Sequence, residues 1–362
     1  MSGDIILFFI AVAAPFVLGR LTILFFRRLV AGGRRRGWLV LLAGNGLILL
    51  LLLSCVFLGW ESYYRFVHDT TIGNNRSKVS QQWFKRHWHR NRMGVRDDVE
   101  YLMKRIERQR RLTFLGDSFT TGHGVEDVNQ RFVNRIRVRH PDWDVHCMAK
   151  NGWSSVDHFE TLGNLERQGY EFDMLVLVYF INDILPFVNQ TQMPSQPSQQ
   201  PRSWPTERLI DHSYVINTLY HQWRRRRLRS SDDGLDYFTL VTTAYTGEPW
   251  DHQRALLLNM RNAMTDQNAK FAVVTFPLTM QRARDNESVY EIHRKLAAFW
   301  RECDVPHLDL LPVFKPFDLR QLTVNRHDGH PNSFAHGLAA EAIDGFLQEI
   351  FLKNEAGGTV IP

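Results

Sequence analysis

Arg111-Leu112-Thr113-Phe114-Leu115-Gly116-Asp117-Ser118-Phe119 decides how this chain is read. Leu112–Leu115 is a short apolar run fit for a buried strand. Gly116 ends it, so Asp117 and Ser118 fall on the turn that follows. A serine there projects from the carboxyl end of a strand, where open α/β sheets place their ligands. If a helical turn begins just after Ser118, free backbone N–H groups point at any oxyanion formed beside its hydroxyl. Taken alone, Gly-Asp-Ser is common, and it also reads as an ordinary strand-to-helix turn capped by Asp or Ser.

Outward from that turn the pattern alternates. A helical stretch at Phe132–Arg139 precedes a strand at Trp143–Met148. A helix at Val156–Gln168 leads to Met174–Phe180, a continuous apolar run suited to a central strand buried on both faces. Further on, helix His252–Thr265 precedes strand Phe271–Phe276, helix Ser288–Cys303 precedes strand Pro306–Leu311, and the last helix runs over Ser333–Leu352. Alternating β and α units predict a flavodoxin-like three-layer α/β/α fold with a mainly parallel five-stranded sheet. Asn189–Glu207, with Pro194, Pro197, Pro201 and Pro205, reads as loop. The segment 186–250 lengthens the gap between the third and fourth strands, and it is expected to form a lid or substrate wall. Trp204, Tyr245 and Trp250 within it are candidates to stack on sugar rings, with ordinary packing the simpler alternative. The basic run Arg224–Arg227 reads as a solvated helix face.

The 362 residues are 44% hydrophobic and 23% charged, enough for a sizeable core and unlike a disordered chain. The net charge of +6 is concentrated at one end: residues 1–60 hold six Arg and one acid, Asp4, for +5, leaving +1 for residues 61–362. No nucleic-acid footprint remains outside that segment. Residues 1–60 read as two transmembrane helices, Ile5–Phe26 and Leu39–Gly59, each close to the ~20 residues that span hydrocarbon. Trp38 and Trp60 bracket the second, as interfacial anchors do. Arg20 in the first is expected to snorkel toward the cytoplasmic end or to face its neighbour. Arg27, Arg28, Arg34, Arg35 and Arg36 between the spans place that loop in the cytoplasm by the positive-inside rule. Everything after Trp60 is then extracytoplasmic, on a cell-membrane protein with two spans. Residues 61–110 form a juxtamembrane segment rich in aromatic and basic side chains; His87 and His89 there are half a metal site at most, and a solvated face is the simpler reading. Residues 111–352 form the catalytic domain and 353–362 a tail. Cys55 sits in the second span, while Cys147 and Cys303 are expected to be free and mostly buried, far apart in the sheet.

A serine hydroxyl is weakly nucleophilic until an imidazole takes its proton, and that imidazole needs an acid to fix its tautomer. His327-Asp328-Gly329-His330-Pro331-Asn332 lies in a loop before the last helix, with Asp328 and His330 close enough to bond across a tight turn. Gly-Asp-Ser after the first strand and Asp-x-His-Pro-Asn before the last helix together resemble the SGNH/GDSL hydrolase family. Two further blocks fit the resemblance: Asn151-Gly152-Trp153 after the second strand and Asn182-Asp183 after the third. The resemblance covers roughly residues 90–352; Asn91–Asp97 also looks like the lead-in of some bacterial members. It implies Ser118 as nucleophile, His330 as base and Asp328 as acid. It also implies an oxyanion hole from the backbone N–H groups of Ser118 and Gly152 and the side-chain amide of Asn182, with no cofactor and no metal. The chain departs from the family pattern twice. Phe180 replaces the glycine of the third block, and His327 stands where the acid more often lies.

The expected activity is cleavage of an acyl ester, acetyl by preference, through an acyl-serine intermediate. O-acyl transfer to an envelope polysaccharide shares every step up to that intermediate. It would need a multi-span acyl-donor partner, because two spans are too few to pass an acyl group across the membrane. A catalytically silent carbohydrate-binding or assembly module is the reading from another class. A metal hydrolase using His327, Asp328 and His330 would leave Ser118 unexplained.

Overall fold

In the computed structural model, residues 3–32, 37–72, 77–188, 209–230, 237–279 and 286–357 are described, with side chains left aside at 225–230, 237 and 353–357. The loop at 189–207 with Trp204, the arginines at 34–36 and the tail beyond 357 lie outside the described residues, as do the Arg225–Arg227 side chains. The chain divides into two compact units, residues 1–85 with 197–231, and residues 86–196 with 232–362.

The first unit is built on two long apolar helices, α1 (Gly3–Ala31) and α2 (Trp38–Ser62). Both are long and apolar enough to cross a membrane, with mean hydropathy of 2.2 and 2.6. They pack against each other. A Cβ added at Gly44 would lie 3.1 Å from the rings of Phe25 and Phe26, so the small residue permits the approach. Arg20 is exposed on the first helix, and Cys55 is exposed on the second. Glu61, at the end of α2, is fully buried. It accepts hydrogen bonds from Ser213 Oγ at 2.8 Å and from the backbone N–H groups of Tyr214 and Val215 at 3.0 and 3.1 Å. It thus caps helix Tyr214–Ser230, whose first-turn donors would otherwise go unpaired.

The second unit holds a five-stranded parallel sheet. Its strands are β1 (Arg110–Gly116), β2 (Trp143–Ala149), β3 (Met174–Phe180), β4 (Lys270–Phe276) and β5 (His307–Asp309), in the order β2-β1-β3-β4-β5. That order matches the flavodoxin-like doubly wound arrangement, with the reversal beside β1. All seven residues of β3 are buried, as expected of a central strand covered on both faces. β5 is shorter than the apolar run 306–311, because Asp309 Oδ1 accepts from the Leu311 N–H and the chain turns there into a helical turn at Leu311–Phe314. Helices Phe132–Arg139 and Ser333–Gly357 pack together in one layer; Ser155–Arg167, Gly247–Asp266 and Glu287–Glu302 belong to the other.

One expectation is corrected: the His-Asp segment is not a loop, since Thr323–Asn325 (β6) and Asp328–Pro331 (β7) form an antiparallel hairpin. The 186–250 segment also contains a helix at Tyr237–Ala244. Tyr245 and Trp250 are buried, as ordinary packing requires; the Tyr245 hydroxyl lies 2.6 Å from that of Tyr179 and 2.8 Å from the Ile181 carbonyl oxygen. Cys147, on edge strand β2, is buried and free, and Cys303, near the opposite edge, is free and half-buried.

Candidate active site

β1 ends at Gly116 because nothing larger fits there. A Cβ at that position would lie 2.1 Å from Thr120 Oγ1 and 3.0 Å from the Val178 carbonyl oxygen. Gly116→Ala is therefore expected to destabilise the fold by about 2 kcal/mol or more, read as a lowered urea midpoint. Asp117 Oδ1 then accepts the Phe119 N–H at 2.9 Å and starts the helical turn Ser118–Thr121. Ser118, half-buried, opens that turn.

The candidate base, His330, arrives from the hairpin. His330 Nε2 lies 3.0 Å from Ser118 Oγ, and His330 Nδ1 lies 2.5 Å from Asp328 Oδ1. Asp328 is fully buried. Two positions along one extended strand put both side chains on the same face, so a spacing of two suffices for the contact. The same carboxylate oxygen accepts the His330 N–H at 3.1 Å. The hairpin turn is held by Asn325 Oδ1, which accepts from the N–H groups of His327 and Asp328. His327 plays no part in this contact; its Nε2 accepts from Arg326. Burial by itself would raise the Asp328 carboxyl, but the His123 and His330 imidazoles beside it hold it well below the ordinary carboxylate range.

Gly152 and Asn182 follow the two strands that flank β1. Gly116 is in register with Ala149 of β2 and with Val178 of β3, so the three loops leave the same edge of the sheet side by side. Gly152 sits at φ +81°, a left-handed conformation that favours glycine. Phe180 stacks on Phe119 with ring centroids 3.9 Å apart, and Phe119 in turn lies 5.5 Å from the His330 ring. The departure from glycine at this position thus supplies a buried aromatic wall beside Ser118 and His330. Beneath it, burial pushes the Asp117 carboxyl up to about 6 and Asp183 well above its ordinary value.

Two further residues surround this group: His123, which the sequence did not single out, and Arg96, from the Asn91–Asp97 lead-in. His123 Nε2 lies 3.3 Å from Asp328 Oδ2, with both side chains buried. Arg96, also buried, donates through Nη1 to the carbonyls of Thr121 (3.3 Å) and Gly122 (2.6 Å). Through Nη2 it donates to those of Val125 (2.6 Å) and Glu126 (3.2 Å). It therefore clamps the loop that carries His123.

No family model and no curated protein matches this chain. Among solved structures, it is similar to a member of the lipolytic protein G-D-S-L family from Veillonella parvula (13% identity, 64% of this chain and 94% of that one, TM-score 0.40). It is similar to the lipase/acylhydrolase from Enterococcus faecalis (13%, 66% and 94%, 0.39). It is also similar to an alpha/beta hydrolase enzyme from the metagenome of Lake Arreo, Spain (14%, 66% and 94%, 0.40). The likeness lies in the fold.

Proposed function

We propose that the chain is a serine ester hydrolase of the SGNH/GDSL type, anchored by a two-helix hairpin, with its catalytic domain on the extracytoplasmic side. The observation that carries the reading is the continuous contact from Ser118 Oγ to His330 Nε2, and from His330 Nδ1 to Asp328 Oδ1. A buried carboxylate that bonds Nδ1 fixes the proton there, leaving Nε2 free to accept the serine proton.

In this mechanism Ser118 Oγ attacks the acyl carbonyl carbon while His330 Nε2 takes its proton. The C–O bond to the alcohol then breaks, and His330 returns the proton to the leaving oxygen, giving an acyl-serine. Water attacks that ester, again losing its proton to His330, and the carboxylic acid departs as Ser118 recovers its hydrogen. The oxyanion formed at each addition is assigned to the N–H groups of Ser118 and Gly152 and the amide of Asn182. Three neutral donors stabilise the developing charge without neutralising the base. Two apolar helices, with Arg27 and Arg28 near the end of the first, support the tether and its orientation.

Acetate release from p-nitrophenyl acetate by the full-length protein in detergent, with and without oligosaccharide acceptors, tests the reading. Hydrolysis is expected without an acceptor, with free acetate as product. Acetylated oligosaccharide with little free acetate would instead identify an acyltransferase. No turnover of either kind, with no labelling by a fluorophosphonate, would leave a binding module.

A further inference from the structure

Asp328 is buried on both oxygens, and a carboxylate so placed is costly unless each oxygen is held. Oδ1 is occupied by His330 through both Nδ1 and the backbone N–H. Oδ2 lies 3.3 Å from His123 Nε2, a close polar contact and not an aligned hydrogen bond, and the His123 and His330 rings lie with centroids 4.2 Å apart. The protonation of His123 follows from the carboxylate. An ionised carboxylate can only accept, so the ring nitrogen that faces it, Nε2, carries the His123 proton. Nδ1 is then the acceptor and takes the Asn151 amide N–H at 2.8 Å, while Thr121 Oγ1 lies 2.6 Å from Asn151 Oδ1 and 3.0 Å from the Ser118 carbonyl oxygen. Thr121 and His123 are carried on the loop that Arg96 clamps.

We propose that His123 is a positioning residue for the triad, its neutral imidazole presenting an N–H to Asp328 Oδ2 so that Oδ1 stays aimed at His330. The proposal rests on the ester-hydrolase reading above and adds a fourth member, set by Asn151 and Thr121, to the relay. Burial, with repulsion from His330 next, holds the His123 ring down to about 4. It is therefore uncharged at neutral pH and puts no second positive charge beside the imidazolium that forms on His330 during the reaction. Free to rotate, the Asp328 carboxylate would lose its hold on the productive His330 tautomer, which matters in the transition state and not in substrate binding.

The test uses full-length protein in detergent with p-nitrophenyl acetate, comparing His123→Leu, His123→Gln, His123→Asn, Asp328→Asn and the His123→Leu/Asp328→Asn pair. The expected result for His123→Leu is a kcat lower by about tenfold or more with KM held within about twofold. His123→Gln, whose amide nitrogen reaches as far as Nε2, recovers most of the loss, and His123→Asn, one bond shorter, does not. In the Asp328→Asn background, removal of His123 costs nothing further, because the group it acts through is already gone. Equal losses in both backgrounds, or equal kcat for the Gln and Asn variants, would overturn the proposal, as would an unchanged kcat in His123→Leu. If His123→Leu fails to fold by its melting curve, the Gln and Asn pair decides alone. A wild type with no turnover and no fluorophosphonate labelling overturns the ester-hydrolase reading itself and the proposal with it. An active wild type indifferent to His123 overturns only the proposal.

Discussion

Ser118→Ala is expected to take up no fluorophosphonate and to turn over p-nitrophenyl acetate about 10⁴-fold or more slowly than wild type, with an unchanged melting temperature. The size follows from what is removed. Ser118 Oγ lies 3.0 Å from His330 Nε2, and in the proposed mechanism a methyl group there leaves the base with no nucleophile to activate. Stability is preserved because the turn Ser118–Thr121 is started by the Asp117 carboxylate and not by the serine hydroxyl. Residual turnover comes from whatever the oxyanion donors do with a water molecule. Equal labelling of wild type and variant at the same residue mass would mean that another side chain carries the acyl group.

On acidification from pH 7 to 4.5 the catalytic unit loses about 10 °C or more of melting temperature. His123, His158 and His307 are held down to about 4 and His336 to about 3, in each case chiefly by burial. The unfolded chain takes up protons near 6.5 that the folded chain refuses until far lower. The stabilisation from these four rings is therefore complete above about pH 6.5 and is lost as the pH falls, on the order of 3 kcal/mol for each ring. Asp117, raised to about 6 by burial, and Asp183, also raised, act in the opposite direction, since the fold prefers their neutral forms. Four rings outweigh two carboxyls, so the net slope favours neutral pH. Below about pH 4 the loss continues, because Asp97 and Asp328, whose carboxyls lie below the ordinary range, must then give up their ion pairs. His336→Leu should flatten the profile, as its ring is fully buried against Phe132. Melting curves at half-unit steps check this, and an identical temperature at pH 7 and pH 4.5 would contradict it.

Much of the fold was legible because its signals are local. A continuous run such as Met174–Phe180 can only be a strand covered on both faces, and it is. The turn at Gly116–Ser118 announced itself through a glycine that a side chain could not replace. The hairpin Thr323–Pro331 was missed because its two short strands pair only with each other, around a turn held by one asparagine side chain. Tyr245 and Trp250 were ambiguous for the opposite reason. Aromatic residues look alike on a sugar-binding wall and in a core, and only the packing of the helices over β3 and β4 shows them to be core.

Sequence alone determined the order of the strands along the chain, the two apolar helices, and the residue types able to carry acyl transfer: Ser118, Asp328 and His330. Those properties reside in composition and spacing along a single stretch of backbone. The tertiary structure decided which of these groups meet. Ser118 and His330 are brought to 3.0 Å by a sheet and a hairpin more than two hundred residues apart in the chain. His123 and Arg96 gained their places in the same way. A histidine five residues past Ser118 carries no mark in one dimension, and the Asn91–Asp97 lead-in does not say which of its side chains reaches the 121–126 loop. Their contacts with Asp328 and with the 121–126 loop arise only when burial forces each polar atom to find a partner.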